Sequence, residues 1–163
     1  EVTDRAIALH RQLAPERMIV HYMQPHPPFV PRSDIEAVSV KKPGMEKEKM
    51  NVEELHTKAG MSSDQLWDAH LENLEYVLDD VELLQSNFQA DRFVISTDHG
   101  QGFGENGVWG HPRSTNADVV RRIPWCETTA DNSDNYEPKF DPEETLSDST
   151  ASIEEKLEHL GYK

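Results

Sequence analysis

The chain has 163 residues and a formal net charge of −15, from 31 acidic side chains against 16 basic ones. That length suits one domain with an apolar core, and the acidic balance argues against DNA or RNA as a partner, because phosphate contacts need clustered Lys or Arg. The single cysteine, Cys126, excludes an intrachain disulfide and a cysteine-based zinc site.

No apolar run is long enough to span a membrane. No basic stretch followed by an apolar one marks a leader at the start. With the lone cysteine, these features give the expectation of a cytoplasmic protein.

In chain order, VTDRAIALHRQL reads as a helix, with Thr3 as its cap and Ala6, Ile7, His10 and Leu13 along one side. After Pro15, the run Met18, Ile19 and Val20 reads as a buried strand. The proline-rich QPHPPFVP ends it, since prolines remove backbone donors and stiffen the chain. Residues 31–60 read as a charged loop region, with a short helix towards its end.

Ser62 and Gln65 form a capping-box pair, which predicts a helix over about 62–85. Trp67, Leu71, Leu74, Leu78 and Val81 recur at gaps of four and three and are expected to face the core. The carboxylates around them read as a solvated face. DRFVIST is the second strand, with Phe93, Val94 and Ile95 at its buried centre. It runs into the glycine-rich DHGQGFGENGVWGHP, a long loop. RRIPW reads as a short extended piece, residues 127–150 as a polar loop region, and SIEEKLEHLG as a closing helix with a Ser152–Glu155 capping box.

Alternating helices and strands imply an α/β fold with a parallel or mixed sheet covered by helices. In such sheets ligands gather beyond the carboxyl ends of strands. Both histidine-bearing stretches fall there, bringing His21, His26, Asp98, His99 and His111 into consideration. Asp98, where a core strand opens to solvent, offers hard oxygens suited to Ca²⁺, Mg²⁺ or Mn²⁺; His99 adds preference for Mn²⁺ or Zn²⁺. His111 is a candidate anion contact or leaving-group acid. His26 is held between prolines, and that rigidity suits a preorganised anion contact. His21 reads as structural, Glu105 as a solvated loop residue and Cys126 as a partly buried small apolar residue. The glycines make neither a P-loop nor a dinucleotide fingerprint, and no HExxH or GxSxG motif is present.

The stretch STDHGQGFGENGVWGHP resembles the late active-site segment of sulfatases of the alkaline phosphatase superfamily. HYMQPHPPF resembles the histidine-bearing segment that precedes it, and LENLEYVLDDVELL the helix between them. RRIPW and LEHLGY also look like late elements of sulfatase-like proteins. The resemblance spans nearly the whole chain and implies the C-terminal part of an alkaline-phosphatase-like α/β/α sandwich.

It further implies Asp98 and His99 as ligands of a divalent metal ion, where many sulfatases have Asp–Asn. It makes His26 and His111 catalytic contacts to the ester group or its leaving oxygen. Gln24 stands where the family commonly has Asp. The family's early metal aspartates and its CxPSR-type nucleophile motif, the source of formylglycine, have no counterpart here. An upstream segment is therefore expected to supply the nucleophile and to associate with this one.

The activity implied is metal-dependent hydrolysis of a small sulfate ester. The rivals are a phosphodiesterase, phosphonate hydrolase or phosphoglycerol-type transferase of the same superfamily, and a truncated binding protein without turnover.

Overall fold

The computed structural model describes residues 2–35 and 50–140. The chain is mixed α/β, built on one long helix. The helices are α1 (Val2–Leu13), α2 (Val52–Ala59), α3 (Ser63–Gln85) and α4 (Asp118–Arg121); the strands are β1 (Ala90–Ser96), β2 (Gly102–Phe103), β3 (Trp109–Gly110) and β4 (Trp125–Ala130). None of the described helices is long and apolar enough to cross a membrane.

Side chains that close on the backbone set the helix starts. Ser62 and Gln65 form the expected reciprocal capping box of α3, and Asn51 with Glu54 does the same for α2. Each satisfies two donors that the first turn leaves unpaired. Gly60, in the left-handed region, ends α2. Thr3 lies inside α1 rather than capping it, and its hydroxyl is hydrogen-bonded to that of Tyr22 at 2.9 Å.

α3 is the spine. Its 23 residues extend for ~34 Å at the usual helical rise, and a separate apolar cluster forms at each end. At the N-terminal end, Leu66 and Ala69 pack with Phe29, Met50, Val52, Leu55 and Phe103. At the C-terminal end, Leu84 and Phe88 pack with Ala6, Ile7 and Ala130.

The buried side of α3 is not the expected one. Leu66, Ala69, Asn73, Val77 and Leu84 face inward, whereas of the expected row Trp67, Leu71 and Leu78 are exposed and Leu74 and Val81 half-buried. Two apolar rows run side by side along this helix. The expected row was the longer in leucines, but the other one meets α2, the proline turn and α1.

The sheets also correct the expectation of a parallel arrangement. Both ladders among the described residues are antiparallel, β1 with β4 and β2 with β3. Between β1 and β4 the chain makes a small hairpin and the four-residue α4. It therefore turns back beside β1 instead of crossing over through a covering helix, as a parallel neighbour requires. β4 takes in residues 125–130, so the predicted polar loop over 127–150 begins later than expected. Phe93, Val94 and Ile95 are half-buried, not fully enclosed.

Met18–Val20 belongs to no ladder among the described residues. The segment keeps a strand's alternation all the same. Met18, Val20 and Tyr22 pack on the C-terminal cluster, while Ile19 is 95% exposed. The predicted closing helix over 152–161 lies outside the described residues.

The register of α3 is open to direct measurement. Leu66→Ala, at a site with no exposure, should destabilise the chain by about 2–5 kcal/mol in urea unfolding. Leu78→Ala, at a site 40% exposed, should cost well under half as much. Equal costs would restore the rejected register.

Candidate functional site

Asp98 and His99 follow directly from the carboxyl end of β1. Two bonds fix this end of the strand: Ser96 Oγ donates to the Pro124 carbonyl at 2.8 Å, and the Gly100 N–H donates to the Val120 carbonyl at 2.8 Å. The loop is thereby laid against α4. A Cβ at Gly100 would stand 2.1 Å from the Val119 carbonyl oxygen, so glycine is required here for close approach of two backbones.

The β2–β3 hairpin then brings His111 back. Gly102 pairs with Gly110, and Phe103 with Trp109. That register sets Gln101 beside His111, whose Nδ1 lies 2.9 Å from Gln101 Oε1. The hairpin is held from below by stacking of Trp109 on His56 at 3.9 Å and by edge contacts of Phe103 with Trp67 and His70. His56 is in turn fixed to the Met61 carbonyl through Nδ1. Glu105 is tied into its own hairpin: its carboxylate accepts the Phe103 N–H at 2.6 Å.

The third histidine comes from the proline turn. His26 lies 5.8 Å from His111 between ring centroids, and His111 is stacked on His99 at 4.1 Å. Thus the structure gathers His26, His99 and His111 from two distant stretches, with the Asp98 carboxylate 3.7 Å from His99 Nε2. His21 is exposed and is absent from these ring contacts.

The three imidazoles share a protonation pattern. His26 Nδ1 is 2.7 Å from the Pro27 carbonyl, and His99 Nδ1 is 2.9 Å from the Gly100 carbonyl. A carbonyl only accepts, so both Nδ1 atoms carry the proton, leaving a lone pair on Nε2 in the neutral ring. His111 adopts the same form toward the side-chain oxygen of Gln101, with the amide oriented as the hydrogen bond assigns it. Three Nε2 atoms are therefore available to take a proton, donate one when charged, or ligate a cation.

Partial burial pushes the His111 pKa down, the neighbouring His99 and His26 push it further the same way, and Asp98 opposes them. His111 is thus predominantly neutral near pH 7. His70 lies on α3 behind the site. Burial lowers its pKa, the nearby His26 adds to the effect, and the Pro25 carbonyl opposes it. Its Nδ1 is buried without a hydrogen-bond partner.

Asp98 and His99 offer one carboxylate and one imidazole, a donor pair that fits part of the coordination shell of a divalent ion. No group of three or more His, Cys, Asp or Glu side chains among the described residues is arranged to hold a metal ion.

Sequence reasoning singled out His26, Asp98, His99 and His111, but passed over Gln101, His70 and Asn73. The last two were detectable as polar residues on the row Leu66, Ala69, Asn73, Val77, with His70 one turn before Asn73. Compared with known proteins, the chain matches no family model, no curated protein and no solved structure.

Two outcomes follow. Gly100→Ala should cost about 1–3 kcal/mol or more, as forced overpacking does, and should displace the loop bearing Asp98 and His99; thermal unfolding and amide spectra of residues 98–111 read both. Acidification should also weaken the fold through His70. Below the ordinary histidine value near 6.5 the unfolded chain binds a proton that folded His70 refuses. Stability from this source is complete above that pH and declines as pH falls toward the depressed folded value. His70→Gln should flatten the slope of urea midpoint against pH between about 7 and 5. An unchanged slope would deny the buried neutral ring.

Proposed function

We propose that this chain forms part of the catalytic domain of a sulfatase-like metallohydrolase, in an alkaline-phosphatase-like α/β/α sandwich, acting on small sulfate esters. The observation that carries this reading is the convergence of His26, His99 and His111, with each Nδ1 held by an oxygen and the Asp98 carboxylate 3.7 Å from His99 Nε2. A tetrahedral anionic ester needs donors aimed at its oxygens and an acid for the departing alkoxide. Charged imidazoles with fixed rings supply both.

In this reading Asp98 and His99 are two ligands of a divalent ion, Ca²⁺, Mn²⁺, Mg²⁺ or Zn²⁺. When bound, such an ion polarises the ester oxygens and offsets their charge. The remaining ligands and the nucleophile, including any formylglycine, belong to an upstream segment. His26 has its ring locked by the Pro27 carbonyl and acts through Nε2 as a proton donor to the leaving oxygen or a contact to the anion. His111 has a depressed pKa. It takes up a proton more readily when an anionic ester offsets the charges of its neighbours, and its imidazolium is then a competent acid.

The test has two arms. Calorimetric titration of the chain with Mn²⁺ should show binding that Asp98→Ala weakens at least tenfold, while far-UV circular dichroism stays unchanged. Unchanged affinity would remove Asp98 from the metal site. In the full-length protein, aryl sulfate, aryl phosphate and phosphate diester turnover should be compared with and without added Mn²⁺, Mg²⁺ or Ca²⁺. Metal-dependent preference for sulfate is the expected result. Preference for a phosphate ester would move the protein to the phosphodiesterase, phosphonate hydrolase or phosphoglycerol-transferase branch. No turnover with any ion would favour a binding protein.

A further inference from the structure

Asn73 is fully buried at the middle of α3, between the two apolar clusters. A buried amide is costly unless its hydrogen-bonding capacity is used, and here it is spent on one feature. Asn73 Oδ1 accepts the Val30 N–H at 3.0 Å. Its Nδ2 faces the carbonyls of Pro25, His26 and Pro28 at 3.1, 3.2 and 3.4 Å. An amide nitrogen has two protons, so at least one is shared among these three acceptors.

The turn itself explains the need. Pro25, Pro27 and Pro28 carry no N–H, so the turn is poor in backbone donors and cannot pair its carbonyls with itself. The His26 N–H donates to the Met23 carbonyl. His70, one turn earlier on α3, lies close to the same carbonyl group of Pro25, but its buried Nδ1 is unpartnered.

We infer that Asn73 is the positioning residue of His26: by gathering the carbonyls around it, Asn73 fixes the turn in which the Pro27 carbonyl accepts the His26 Nδ1–H and so holds the ring in the form with its lone pair on Nε2. The inference builds on the reading of His26 as a working residue of the site. Asn73 itself touches no reacting group. Its effect is exerted through the geometry of the peptide carbonyls it binds. His99 and His111 provide internal controls, because their Nδ1 partners, the Gly100 carbonyl and Gln101, are not among the groups bound to Asn73.

The experiment is long-range ¹H–¹⁵N correlation of the histidine rings in the ¹⁵N-labelled chain, at a pH where the imidazoles are neutral and with no metal or ester present. Wild type should show one tautomer for His26, protonated on Nδ1. Asn73→Ala should convert His26 to a mixture of tautomers while His99 and His111 keep theirs. Asn73→Asp is nearly the same size and retains the acceptor for Val30 but loses the amide donors. It should likewise release His26. An unchanged His26 in both variants would overturn the inference. So would equal loss of the fixed form in all three rings, which would make Asn73 a residue of the core alone. The tautomers are read without turnover or metal, so a failed ester assay would count against the proposed function and leave this result standing.

Discussion

One buried amide determines where the proline turn sits. Asn73 occupies a position on α3 that an apolar side chain would otherwise fill, between clusters that share only the helix. Its hydrogen bonds to the turn are made where water does not compete, and each is stronger electrostatically than it would be on the surface. The alternative leaves the fully buried Asn73 amide without partners, and an unpaired buried donor or acceptor costs more than a single bond gains. The turn is therefore seated on α3 by the need to satisfy that one amide.

From that seat the rest of the site follows by short, stiff connections. His26 is two residues from Pro28, both of whose carbonyls Asn73 binds. His99 is three residues beyond the end of β1, and the Gly100 N–H ties that loop to Val120. His111 follows β3 immediately, in a hairpin only two pairs long but weighted down by Trp109 on His56 and Phe103 in the N-terminal cluster. Rings held this closely lose little rotational entropy on binding a ligand, which is the physical content of preorganisation.

Much of this was legible in the sequence where a local rule governs. The capping box at Ser62 and Gln65, the strand over Phe93–Ile95 and the glycine-rich return to His111 all depend on neighbours within a few residues. The side of α3 that is buried does not. Its choice depends on what packs against it, and Trp67, Leu71 and Leu78 are as apolar as the row that won. A polar residue on that winning row lowered its apparent hydrophobicity. It was the very residue whose burial matters most. β4 escaped for a related reason. Its residues are largely exposed, so the alternation that marks a half-buried strand is missing, and only pairing with β1 reveals it. Likewise the tautomers of the histidines are set by carbonyls and an amide that come into place only with the fold.

The strongly acidic chain is not an obstacle to an anionic ligand at this site. Exposed charges farther away than about 8–10 Å are largely screened at physiological ionic strength, so the groups within reach of the histidines decide the local potential. After His111 the sequence supplies Arg113, Arg121 and Arg122 within a short stretch, and this segment is bound to the loop bearing Asp98 and His99 through Gly100 and Val120. Arg121 is partly committed to Thr115 and Asn116, and Arg122 to Asp118, while most of the acidic side chains of α3 lie along its solvent-facing side. Charge is thus divided by position: carboxylates along the long helix, guanidinium groups on the segment that supports Asp98 and His99. The neighbouring His99 and His26 make protonation of His111 more costly, as its downward shift shows. In the proposed reading an incoming anion would offset that cost, so anion binding would favour proton uptake by His111, through the same few ångströms that bring the three rings together.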